Sequence, residues 1–174
     1  MKILVPIDGS KQSQKSLDYA VNLQQRLISN NNKDSINSSN KKKKKEIIVL
    51  SVIPHSHVPL GFERKMKSLK SGENISLTDY IKEMNEVIQL EWKDRLSTIK
   101  KKYDSSEISI RTELLTGGNG SISENIIRFA DKENVELIVI GNIGLGGISK
   151  IKALGSVSRR VSEMANRPVL IVHN

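Results

Sequence analysis

Asp8 and two glycine stretches, Gly141-Asn142-Ile143-Gly144-Leu145-Gly146-Gly147 and Gly155-Ser156-Val157, have the residue types and spacing for ligand chemistry in this 174-residue sequence. The longer stretch follows a short apolar run, Leu137 to Ile140, and the other opens a run with helical spacing through Val157, Val161 and Ala165. Glycines let main-chain N–H groups approach a bulky charged group. The first N–H groups of a helix lack intrahelical partners and carry the positive end of its dipole. Strand, glycine loop and helix start therefore make the order of a phosphate cradle. Glycine loops after strands also serve as plain turns, so the spacing alone leaves both uses open. Asp8 has two uses as well: it can accept hydrogen bonds from ribose hydroxyls, or hold the N–H groups of its own Asp8-Gly9-Ser10 turn.

Other chemistries are poorly supplied. There is no cysteine, which excludes disulfides and thiolate metal sites and fits a reducing compartment. His55 and His57 are two apart without a third ligand nearby in sequence, so a solvent-exposed pair is the simpler reading and no metal site is assigned. Neither glycine loop leads into the Gly-Lys-Ser/Thr of a P-loop. No second carboxylate stands beside Asp8 in sequence to hold Mg²⁺ or orient a water. Ser156 has no evident base partner. No catalytic residue is assigned, and any hydrolysis is expected to be slow.

The elements that must position these residues alternate. Ile3, Leu4, Val5 and Ile7 predict a buried strand that finishes near Pro6, and Ser10 caps a helix with Leu17, Ala20, Val21, Gln24, Leu27 and Ile28 inward. Ile47 to Val52 predict a second strand. Residues 53 to 77, broken by Pro54, Pro59, Gly61 and Gly72, predict a long loop. Ser76 or Thr78 caps a long helix with a core stripe of Ile81, Met84, Ile88, Trp92, Leu96, Ile99 and Tyr103. Glu107 to Leu114 alternate, as an edge strand or a strand with one wet face does. Ser121 with Glu124 is a capping box for the next helix, which leads to the strand at 137–140. After the last helix, Pro168-Val169-Leu170-Ile171-Val172 closes the chain. Five strands and four helices in this order predict an α/β fold: one domain over 1–174, a doubly wound five-stranded parallel sheet of order 3-2-1-4-5 with helices on both faces. The switch point then lies between the first and fourth strands, whose carboxyl ends carry Asp8 and Gly141.

The net charge of +9 is unevenly spread. Residues 29 to 45 hold six lysines (Lys33 and Lys41 to Lys45) and one acid, Asp34, in a tract of asparagine, serine and lysine. Such a tract is expected to be a disordered insertion. Lysine runs are more often solvated spacers than nucleic-acid contacts, and six aromatic residues leave little for base stacking. The N-terminal apolar run is too short for a signal peptide and no run reaches the length of a membrane span, so a cytoplasmic protein with no membrane partner is expected.

Val5-Pro6-Ile7-Asp8-Gly9-Ser10, Gly141-Asn142-Ile143-Gly144, Gly155-Ser156-Val157-Ser158 and Pro168-Val169-Leu170-Ile171-Val172 together resemble the universal stress protein family. The resemblance covers the chain except 29–45 and 53–77, and it implies a Rossmann-like, adenine nucleotide alpha hydrolase-like fold. In the family's ATP-binding branch the pattern G-x2-G-x9-G-[ST] holds phosphates. Here ten residues separate Gly144 from Gly155, one more than that pattern, and Asn142 and Ile143 stand where a serine and a basic residue or histidine are frequent. Lys150 or Lys152 can offset the missing charge. By resemblance Asp8 contacts the ribose and the Val52 backbone meets adenine, with Pro6 shaping that side. Ile140, Gly141, Gly144, Gly155, Ser156 and Val157 would line the phosphates. The implied ligand is ATP or AMP, with Mg²⁺ as an accompanying ion, in a stress-response regulatory protein. The resemblance also implies a homodimer through the last strand, and an apolar strand at 168–172 on a sheet edge independently invites a second copy. The alternative is a dimeric scaffold that binds no nucleotide and acts on a protein partner through residues 53 to 77.

Overall fold

The strands at the centre of the molecule have apolar residues on both faces, and each face carries its own core. The structure, a computed structural model, describes residues 1–33, 45–54, 64–116, 120–146 and 154–173. The chain runs β1 (Lys2–Pro6), α1 (Lys11–Lys33), β2 (Lys45–Ile53), β3 (Lys65–Lys67), β4 (Asn74–Ser76), α2 (Leu77–Tyr103), β5 (Ile108–Thr116), α3 (Ile122–Lys132), β6 (Leu137–Gly141), α4 (Ser156–Met164) and β7 (Val169–Val172). The main sheet is parallel throughout and ordered β5-β2-β1-β6-β7. This is the expected 3-2-1-4-5 order, renumbered by the small hairpin β3-β4.

Period-two alternation divides the core. Ile3, Val5, Ile47, Val49 and Val139 pack with Leu17 and Ala20 of α1 and with Leu96 and Ile99 of α2. Leu4, Ile48, Leu50, Ile138 and Ile140 point the other way, onto Ile126 and Phe129 of α3 and Val161 of α4. A strand covered by helices on both sides is apolar on both faces where it is buried, as Ile3 to Val5 of β1 and Ile47 to Leu50 of β2 are. Gln24 is the polar exception on α1: it is fully buried, and its Nε2 donates to the Met1 carbonyl at 2.8 Å. At the β5 edge Arg111 ties neighbouring elements together, pairing with Glu133 just beyond α3 and with Glu46 of β2 at 3.2 Å.

Three expectations change. α1 continues through Lys33, so residues 29–33 of the supposed disordered tract end a helix, and Lys45 begins β2; 34–44 lie outside the described residues. The expected loop at 53–77 contains the hairpin, with Lys65, Met66 and Lys67 opposite Ser76, Ile75 and Asn74. Residues 55–63, with His55 and His57, lie outside the described residues. The α2 stripe is core only toward its end: Leu96 and Ile99 are buried, while Ile81, Met84 and Ile88 are half-buried because the helix begins beyond the sheet, against the hairpin.

Candidate functional site

The carboxyl ends of β1, β2 and β6 open onto a cleft of about 430 Å³, roofed by the N-terminal turns of α3 and α4. In an open parallel sheet this crevice lies where neighbouring strands send their crossovers to opposite faces, leaving a gap between them. All nine residues expected at a site line it: Pro6, Asp8, Val52, Ile140, Gly141, Gly144, Gly155, Ser156 and Val157. Lys150 and Lys152 lie outside the described residues. Its walls are mainly aliphatic, and Asp8 is its only charged side chain among the described residues.

Asp8 holds its own turn and also reaches across the chain. Its Oδ1 accepts from Ser10 N at 3.0 Å, the hydrogen bond of a tight turn before a helix. Its Oδ2 accepts from Leu145 N at 2.9 Å, joining the end of β1 to the glycine loop after β6. Partial burial pushes the carboxyl upward, but hydrogen bonds from Ser10, Leu145 and Ser13 outweigh it and hold Asp8 below the ordinary value of 3.8. The site carboxylate is therefore ionised and fixed. Gly144 permits this: a Cβ there would run into Asp8 Oδ2. Gly141 serves packing instead, because a Cβ would come within 3.0 Å of the Gln12 backbone on α1.

The second polar feature is the start of α4. Ser10, Ser76 and Ser121 cap α1, α2 and α3 by accepting from Ser13, Asp79 and Glu124 N–H groups. At α4 the capping position is Gly155, with no side-chain capping bond and no acidic residue in the first turn. Its opening amides are left to water or to a ligand at the end of the cleft. Ser156 is the first helical residue and exposed, not a cap. The turn is braced from behind: Gly155 N donates to Asn142 O at 2.8 Å, and the buried Ser158 Oγ donates to Gly141 O at 2.6 Å.

Sequence reasoning missed Ser158, Ile122, Ile126 and Leu50 as lining residues. The signal for Ser158 was its place one turn after Gly155. Ile122 and Ile126 pack into the core and also reach the cleft, because a helix N-terminus after an edge strand returns over the same end of the sheet.

The cleft joins an aliphatic region to the uncapped start of α4. A cleft of this volume suits a small molecule, and aliphatic walls with few polar groups orient rather than merely attract it. The sequence profile of the universal stress protein family matches residues 1–173. The chain is 30% identical over 174 residues to the universal stress protein YxiE of Bacillus subtilis, covering 98% of this chain and 97% of that one. It is similar in fold to the universal stress protein UspA from Lactobacillus plantarum, with TM-score 0.71, 21% identity and coverage of 99% and 97% of the two chains. A universal stress protein solved in complex with cAMP is similar at TM-score 0.52 and 21% identity, over 99% and 96% of the two chains.

Proposed function

This chain belongs to the universal stress protein family, and on that premise we propose that its cleft binds an adenine nucleotide as a regulatory ligand, ATP or AMP. The observation that carries the reading is the pairing of a fixed carboxylate, Asp8, with the uncapped start of α4 in one apolar cleft. Adenine is assigned to the aliphatic end near Pro6 and the Val52 backbone, and the ribose to Asp8, whose oxygens retain lone pairs beyond the two backbone bonds. The phosphates are assigned to the amides of Ser156 and Val157, with Ile140, Gly141, Gly144 and Gly155, whose own amide is held by the Asn142 carbonyl, forming the floor. The complex of a family relative with cAMP supports an AMP-type ligand. The resemblance is to the ATP-binding branch, with one extra residue between Gly144 and Gly155.

The lining also bears on phosphate number. With Asp8 as the only charged side chain among the described lining residues, a triphosphate needs positive charge from elsewhere, and Mg²⁺ supplies it when bound. AMP needs far less. We assign no catalytic residue, and hydrolysis is at most slow.

The test is to denature the purified protein, identify any nucleotide released, and measure equilibrium binding of AMP and ATP with and without Mg²⁺. The reading expects micromolar AMP binding independent of Mg²⁺, ATP binding strengthened by it, and weakening of both in Asp8→Ala. One observation favours the dimeric scaffold instead: Leu145 N already occupies Asp8 Oδ2. If the folded chain binds neither nucleotide, that reading stands and the partner surface is sought around residues 53 to 77.

A further inference from the structure

Behind the Asp8 turn lies a second cavity of about 430 Å³, between the first turns of α1 and the last turns of α2. Ile7 and Ser13 line both cavities, so the turn at 7–13 is a partition with a pocket on each side. Besides Ser13, the polar groups lining the second one are Ser10, Gln14, Arg95, Thr98, Lys102 and Tyr103, and among the described residues none of its lining side chains is acidic. Its chemistry is thus opposite in sign to that of the first cleft, whose charged lining is Asp8.

The neutral groups there are already committed. Gln14 Nε2 donates to Tyr103 Oη at 2.9 Å, Tyr103 Oη donates to Asp18, and Thr98 Oγ1 donates to the Asp94 carbonyl at 3.0 Å. Asp18, an acid beside the cavity, is therefore engaged by the tyrosine hydroxyl. Of the two cations, Lys102 shares a hydrogen bond with the Tyr103 hydroxyl and lies in the field of Asp18, which together push its ammonium above the ordinary lysine value, while Arg95 has no such tie. Arg95 lies over the Trp92 ring, 5.0 Å from its centroid, with no carboxylate partner among the described residues. Lys102 Nζ sits 4.7 Å from the centroid of Tyr103. Seven residues apart on α2, they project from one face of the helix two turns apart. Arg95 also lies against the turn itself, since a Cβ on Gly9 would collide with its guanidinium.

We propose that this second cavity is an anion site, distinct from the first cleft, in which Arg95 and Lys102 hold a phosphate-bearing small molecule. A guanidinium stacked on an indole keeps its fork of N–H donors free in the ring plane, which suits bidentate contact to phosphate, and the ammonium adds a point charge. The volume admits more than one phosphate group, so a diphosphate uses both cations at once.

The chain carries its own reporter, because Trp92 is its single tryptophan and touches Arg95. Sodium pyrophosphate is titrated into the full chain at fixed ionic strength while tryptophan emission is followed, with equilibrium dialysis of labelled pyrophosphate as a readout that does not depend on Trp92. The site predicts a saturable emission change, a midpoint raised roughly tenfold in Lys102→Gln, and loss in Arg95→Gln of the dialysed equivalent that the emission change tracks. Both positions are exposed, so the variants keep the fold. A non-saturating change, or full retention of that equivalent in Arg95→Gln, overturns the proposal. Either result is independent of whether the first cleft binds AMP.

Discussion

Asp8 links residues 137 apart in sequence through Leu145 N. Replacing it with alanine leaves the Ser10 and Leu145 amides without their acceptor, and urea unfolding near neutral pH should show a loss of about 1–3 kcal/mol. The pH dependence follows from the direction of its shift. A carboxyl held below 3.8 in the folded chain stabilises it fully above that value, and the contribution is lost as pH falls through the depressed folded value. The stability gap between the parent chain and Asp8→Ala should therefore narrow in acid, and a gap that stays constant with pH would contradict the ionised latch. Asp8 was legible from sequence as a residue with two possible partners, a turn and a ribose. Its third partner was not, because a contact between Asp8 and Leu145 exists only once β1 and β6 are neighbours.

At the scale of elements, the helix starts decide where a ligand can sit. α3 has a full capping box, Ser121 Oγ accepting from Glu124 N while the Glu124 carboxylate accepts from Ser121 N. Ser121→Ala should cost about 1 kcal/mol in thermal or chemical unfolding and leave ligand affinity nearly unchanged. The same box was readable as Ser-x-x-Glu before an apolar run, whereas the hairpin β3-β4 was not. Its strands are three residues long with one half-buried apolar residue each, Met66 and Ile75, too short for alternation to register. The end of α1 was hidden for a different reason. Asn30, Asn31 and Asn32 are poor helix formers, yet the helix beginning at Lys11 continues through them because propagation is easier than nucleation.

At the scale of the whole molecule, the sheet has two edges with different finishes. β5 carries Arg111, Glu113 and a network to Glu46 and Glu133, charge that discourages pairing with another sheet. β7 is Val-Leu-Ile-Val, every residue half-buried and none charged. The carbonyls of Pro168 and Val172 bond to β6, so by alternation the N–H of Ile171 faces the open edge. A dimer through β7 should appear in sedimentation at micromolar concentration, and Ile171→Pro should give a monomer with a native-like circular dichroism spectrum; a parent chain that sediments as a monomer would remove this interface. The central claim is that the cleft at the carboxyl ends of β1 and β6 binds an adenine nucleotide, and its most direct test is calorimetric titration of AMP into the parent chain and Gly144→Val. Valine at 144 collides with Asp8 Oδ2 and fills the cleft mouth. The account predicts micromolar binding to the parent and at least roughly tenfold weaker binding to a folded Gly144→Val. A folded parent that takes up no AMP, or equal affinity in the two proteins, would contradict it.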